Sequence, residues 1–232
     1  MSLDFYEERT NTHDGASLSL YDIWEQGGAA GDSITPSTYN ADYRTHIGLK
    51  LSVLLRHQGS LISIGCGNAA VEGDLVAKGF SVSGLDYNAE AIEYAKAKGV
   101  QVEQADYNLL SPGYLKHHTV VYADGLFGHL WQDDEGLNGP LRHLRNLVKP
   151  GCAVLISNDA PRGTLEWDQT GLPAGSPHEP HPGVSGFQFL SREYVADTLC
   201  NHGFRVLESY YFPYLRPISG IRNRTIVIAC AV

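Results

Sequence analysis

At Leu61-Ile62-Ser63-Ile64 a short apolar run stops at Gly65-Cys66-Gly67, and a segment of helical periodicity, Ala69 to Lys78, begins at once. A strand, a tight glycine turn and a helix in that order form the opening of a β-α-β unit, which commits the chain to a parallel sheet with crossover helices. Glycine lets the backbone come close to a ligand, and the helix start presents unpaired N–H groups to it. The turn therefore reads as a cradle for a nucleotide-like cofactor.

The rhythm continues downstream. Ser81 to Asp86 reads as a second strand, and Asn88 caps a helix that has Glu90 in its first turn and stops at Gly99. Gln101 to Gln104, Thr119 to Asp124 and Ala153 to Asn158 read as strands three, four and five. A helix from Leu137 to Val148 and the turn Lys149-Pro150-Gly151 precede the fifth. Ser191 starts a last helix, Gly203 ends it, and the runs Phe204 to Tyr211 and Thr225 to Ala231 close the chain. The segment between these two strands is too short for a parallel crossover, so they are expected to pair antiparallel. Residues 159–190, with five prolines, read as an irregular insertion. Residues 1–42 read as a lid segment, and residues 43–232 as the main domain, entered by a helix from Tyr43 to His57.

Predicted strands two, three and four each end in or near an acid: Asp86, Asp106 and Asp124. Open parallel sheets bind ligands at the carboxyl ends of their strands, so these carboxylates belong to one crevice. Gly65-x-Gly67-x-x-Ala70, with Asp86 about 20 residues on, also satisfies the dinucleotide fingerprint. The turn alone thus serves a nicotinamide cofactor or a sulfonium one. An acidic rim favours the sulfonium, because a pyrophosphate carries negative charge of its own.

With these residues the sequence resembles the class I S-adenosylmethionine-dependent methyltransferases over roughly residues 43–232. The resemblance rests on Leu61 to Ala69, on Val82-Ser83-Gly84-Leu85-Asp86, on Gln104-Ala105-Asp106 and on Leu147 to Gly151. It implies an α/β, Rossmann-like doubly wound sheet of seven strands, order 3-2-1-4-5-7-6 with strand seven antiparallel, under an N-terminal helical lid. It implies S-adenosyl-L-methionine on Gly65, Cys66 and Gly67, its ribose on Asp86 beside Tyr87, its adenine on Asp106 beside Tyr107, and its methionine end near Asp124 and Gly125. Arg44 is a candidate for the cofactor carboxylate. The sequence departs from the family at Ser63, where an acid is usual, and at Ala69, where a third glycine is usual.

On the acceptor side, Phe127-Gly128-His129-Leu130 resembles small-molecule N-methyltransferases, including the glycine N-methyltransferase type, and His129 is the candidate base, the alternative being a residue that only hydrogen-bonds cofactor or backbone. An imidazole titrating near 6.5 suits the role of base. The aromatics Tyr21, Trp24, Tyr39 and Tyr43, with Trp167 of the insertion, are candidates for holding a small acceptor. Asp159, Arg162 and Tyr210, Tyr211 and Tyr214 are further candidates for the pocket wall. His178-Glu179-Pro180-His181 lacks the rigid helical or hairpin spacing of a metal site, and no metal is expected.

A net charge of −9, with 17 Lys and Arg against 26 Asp and Glu, argues against nucleic acid or a membrane surface as the main partner. Four well-separated cysteines fit reduced thiols in the cytoplasm. The expected activity is methyl transfer to nitrogen or oxygen of a small metabolite. A nicotinamide-dependent oxidoreductase and a non-catalytic cofactor-binding protein are the alternatives.

Overall fold

The computed structural model describes residues 4–11, 17–26, 37–56, 59–164, 176–216 and 220–232. The chain opens with the short helix α1 (Asp4–Glu7), the antiparallel pair β1 (Arg9–Asn11) and β2 (Ser17–Ser19), and helix α2 (Leu20–Glu25). Ser19 and Asp22 cap α2 reciprocally, each side chain accepting from the other's backbone N–H. Helix α3 (Ala41–Leu54) follows, capped by Asn40.

The main sheet then builds in the expected alternation. Strand β3 (Ser60–Ile64) leads to α4 (Ala70–Ala77), β4 (Ser81–Asp86) to α5 (Ala89–Ala97), and β5 (Gln101–Gln104) to β6 (Val120–Asp124). After β6 come α6 (Leu126–His129), α7 (Asn138–Leu147) and β7 (Ala153–Asp159). The insertion carries β8 (His178–Pro180) and β9 (Gln188–Leu190), and α8 (Arg192–Asn201), β10 (Phe204–Arg216) and β11 (Gly220–Ala231) complete the fold.

The seven-stranded sheet runs β10-β11-β7-β6-β3-β4-β5. Counted from β3, that is the expected order 3-2-1-4-5-7-6, and β11 lies antiparallel to both its neighbours. The closing pair is longer than its apolar runs suggested: β10 and β11 pair from Phe204 opposite Ala231 to Arg216 opposite Gly220, with one register shift between Val206 and Glu208. Beyond the apolar runs, Phe212 to Arg216 still pairs with Gly220 to Arg224, because backbone bonding continues along a two-stranded ribbon after the core ends.

Side chains alternate across the sheet. One face packs Ile62, Val121 and Ile156 against Leu141 and Leu144 of α7 and Val195 and Leu199 of α8. The other packs Leu61, Val120 and Leu155 against Tyr43, Ile47 and Leu51 of α3 and Leu75 of α4. Both faces are dry, which explains the near-continuous apolar runs of the central strands. The insertion corrects one expectation: it holds a regular element, β8 antiparallel to β9 with Glu179 opposite Phe189.

Candidate active site

At the carboxyl ends of β3, β4, β5 and β6 the fold leaves a cavity of about 1050 Å³. Its floor is the glycine turn. Gly65 and Gly67 take φ of +66° and +53°, which glycine adopts without cost. Ala69, at the place of the third glycine, is also left-handed, with φ 54° and ψ 48°, and carries a strain of order 1 kcal/mol. The N–H groups of Gly65 and Cys66 both donate to Leu85 O, at 2.8 and 3.0 Å. Burial pushes the Cys66 thiol well above its ordinary pKa, so it lines the floor as a neutral group.

Asp86 fastens this turn to the next helix. One carboxylate oxygen accepts from Gly67 N–H at 2.7 Å and the other from Asn88 N–H at 2.8 Å. Burial raises its pKa above the usual carboxylate range, opposed by these backbone donors. Asp106 lines the same wall and caps the turn 107–109 by accepting from Asn108 N–H at 2.9 Å. Tyr107 is buried and donates to Pro140 O at 2.8 Å, so only its ring meets the cavity, while Tyr87 stands half exposed at the rim.

Other candidates stand off the cavity or reach it already paired. Arg44 is absent from the cavity wall; its guanidinium donates twice to the Asp74 carboxylate at 2.6 Å, one turn of helix away from the glycine turn. Asp124 reaches the cavity with its charge already balanced: Arg224 donates to one oxygen, and the Tyr43 and Tyr122 hydroxyls donate to the other at 3.1 Å. Arg224 also pairs with Asp159 at 3.2 Å, and Asp159 with Arg216 at 3.0 Å, so two acids and two guanidiniums form one buried network. Gly125 beside it turns with φ +76° and donates to Ser157 O at 2.8 Å.

Of the N-terminal aromatics, Tyr21 and Trp24 meet the cavity, in edge contact 5.1 Å apart, and Tyr21 lies over the turn at Gly67. Tyr43 is fully buried under the sheet edge and Tyr39 bonds Asn68, so neither lines the cavity. Trp167 lies outside the described residues. Arg162 is spent on Glu179, His178 packs on Trp131 at 4.2 Å, and Tyr210 and Tyr211 bond His46 and Glu193. His181, Val184 and Phe187 of the insertion do reach the cavity, as does Asp159.

His129, at the end of α6, faces the cavity opposite the glycine turn. Its Nε2 is 2.8 Å from the hydroxyl of Tyr6, a residue of α1 that the sequence did not single out. Phe187 closes on the imidazole at 4.6 Å. Burial, with a smaller push from His181, lowers its pKa to about 4, so the ring is neutral at neutral pH and a far weaker base than the unperturbed value implies. Burial raises the Tyr6 phenol instead, and the pair is neutral at both ends.

Tyr6, Arg224 and Glu72 are the residues that sequence reading passed over. Arg224 carried a signal, as a cation at the start of a buried Thr-Ile-Val-Ile run. Glu72 carried a fainter one, an acid in the helix facing Ser63.

The site has the dimensions and acidic wall for a nucleoside with a cationic tail, and room left over for a second small molecule. The inserted antiparallel strand β11 departs from the mostly parallel sheet of dinucleotide-binding folds, which weighs against the nicotinamide alternative. The comparisons agree. A tabtoxin biosynthesis enzyme from Pseudomonas amygdali pv. tabaci is 45% identical over 225 residues, covering 97% of this chain and 85% of that protein. Among solved structures, an S-adenosylmethionine-dependent methyltransferase from Methanosarcina mazei superposes with TM-score 0.61 at 16% identity, over 79% of this chain and 97% of that one. The 1,6-didemethyltoxoflavin-N1-methyltransferase of Burkholderia thailandensis, solved with its acceptor and S-adenosylhomocysteine, gives TM-score 0.61 at 15% identity, over 82% and 78%. Residues 39–209 match the family described as the methyltransferase domain, and the chain belongs to that family.

Proposed function

We propose that this chain is an S-adenosylmethionine-dependent methyltransferase that methylates nitrogen or oxygen of a small metabolite by direct in-line displacement. The carrying observation is the single cavity that joins the glycine turn and Asp86 on one side to His129, Asp159 and Phe187 on the other. The relatives support a small acceptor, one by the metabolite whose biosynthesis it serves and one by the acceptor bound to it.

Bound in the cavity, S-adenosylmethionine supplies a methyl group on a good leaving group. The chain's part is positioning and exclusion of water, which can contribute several kcal/mol without a strong base. The turn Gly65 to Gly67 offers open backbone, Asp86 takes the ribose hydroxyls, and Asp106 takes the adenine amino group, between the rings of Tyr87 and Tyr107. Tyr21 and Trp24 close over the turn. His129 touches the acceptor together with Tyr6, as a neutral hydrogen-bonding pair that fixes the orientation of the reacting lone pair. Its pKa of about 4 suits that role better than proton abstraction.

Titration calorimetry with S-adenosylhomocysteine, followed by transfer of labelled methyl into a metabolite extract, tests this reading. Micromolar binding and a labelled small-molecule product are expected. Absence of binding overturns the cofactor assignment, and binding without any product favours a non-catalytic role.

A further inference from the structure

Glu72 stands in the first turn of α4, is 3% exposed, and lines the cavity behind the glycine turn. A buried carboxylate is costly unless a cation or several N–H donors compensate it. The other buried acids of the cavity have such partners: Asp86 holds two backbone N–H groups, and Asp124 and Asp159 share Arg224. Glu72 has one side-chain partner among the described residues, the Ser63 hydroxyl, which donates to it at 2.5 Å, and beyond that only a bond from its own backbone N–H. The cation whose field it feels, Arg44, gives its hydrogen bonds to Asp74.

Among the described residues no cation forms an ion pair with this acid, and it faces the space where the cofactor is proposed to sit. A primary ammonium supplies what it lacks, a positive charge together with N–H donors. A sulfonium has the charge and no donor. We propose that Glu72, oriented by Ser63, is a cofactor-binding residue that holds the ammonium of the cofactor's methionine end. The inference rests on the S-adenosylmethionine reading above. It makes the pair Ser63 and Glu72 a divided site, with the hydroxyl on the strand and the carboxylate on the helix.

The test compares three ligands by calorimetry on the full chain: S-adenosylhomocysteine, its decarboxylated aminopropyl analogue, and 5′-methylthioadenosine, which lacks the ammonium. Glu72→Gln is expected to weaken the first two by about 10- to 100-fold and the third by less than twofold. Ser63→Ala, which leaves the carboxylate but not its alignment, is expected to give a smaller loss with the same ligand pattern, and it carries the test if Glu72→Gln does not fold. Equal losses on all three ligands, or none on any, overturn the inference. Failure of the unaltered chain to bind S-adenosylhomocysteine would instead overturn the underlying reading.

Discussion

The Tyr6 hydroxyl and His129 Nε2 lie 2.8 Å apart, joining residues 123 positions distant in the chain across the mouth of the cavity. The hydrogen bond ties the N-terminal segment to the end of α6, where the acceptor is proposed to bind. A neutral pair in a dry site contributes only if both members are present.

Tyr6→Phe and His129→Ala are therefore each expected to lower turnover about 10- to 100-fold with S-adenosylhomocysteine affinity changed by less than threefold. The double variant should lose little more than either single one, because the two act as a unit. The same pair makes a statement about pH: with His129 neutral down to about 4, the pH–rate profile should lack an ascending limb near 6.5. A limb at 6.5 that disappears in His129→Ala would restore His129 as a general base.

Arg44 tests the opposite expectation. Its pair with Asp74 is about a third exposed on one side and 43% on the other, which places it among surface ion pairs worth about 0.2–1 kcal/mol. Arg44→Ala should cost that much in urea unfolding and leave cofactor affinity within twofold. A tenfold loss of affinity for S-adenosylhomocysteine would mean that the arginine moves into the cavity on binding.

Gly128 shows why the motif around His129 has the residue it does. A Cβ there would lie 2.5 Å from the Phe187 ring, 2.7 Å from Asn158 Oδ1 and 2.7 Å from the backbone oxygen of Gln188. Asn158 bridges the same three elements, accepting from Gly128 N–H at 3.1 Å and donating to Gln188 O at 2.9 Å. Gly128→Ala should therefore push the β8–β9 pair off α6, at a cost of about 1–3 kcal/mol in thermal or urea unfolding. Turnover should fall more than cofactor affinity, since the glycine turn is on the other side of the cavity.

The sheet was legible because its information is local. Apolar runs end at Asp86, Asp124 and Gly65, Asn88 and Ser191 mark helix starts, and the short link before Thr225 forces an antiparallel strand. That Asp86, Asp106 and Asp124 share one cavity was legible for the same reason, since strand ends converge by topology. What was not legible depends on distant partners. Arg44 and Asp124 carry the right charges in plausible places, and only the fold reveals that Asp74 and Arg224 neutralise them. Tyr6 meets His129 from an N-terminal segment whose sequence carries no periodicity, and the β8–β9 pair is a three-residue ladder amid prolines.

Glu72 links the cofactor end of the cavity to stability. Burial raises its pKa from 4.5 to about 7, opposed by the Ser63 hydroxyl and by Arg44, while Asp86 adds to the rise. The Tyr122 phenol and Cys66 thiol, also in its field, stay neutral, because burial pushes both well above their ordinary values. The folded state thus binds this proton more tightly than the unfolded chain. The resulting stability is complete below pH 4.5, is lost as pH rises through about 7, and amounts to roughly 3 kcal/mol over that window. Urea unfolding of the unaltered chain and of Glu72→Gln between pH 5 and 8 isolates this term as the difference between them, because His129, lowered from 6.5 to about 4, acts between those two values and equally in both proteins. The variant should gain on the unaltered chain steadily up to pH 7 and hold its advantage above it. Saturating S-adenosylhomocysteine should erase most of the difference, since a bound ammonium favours the ionised carboxylate; parallel stability curves for the two proteins would remove Glu72 from the account.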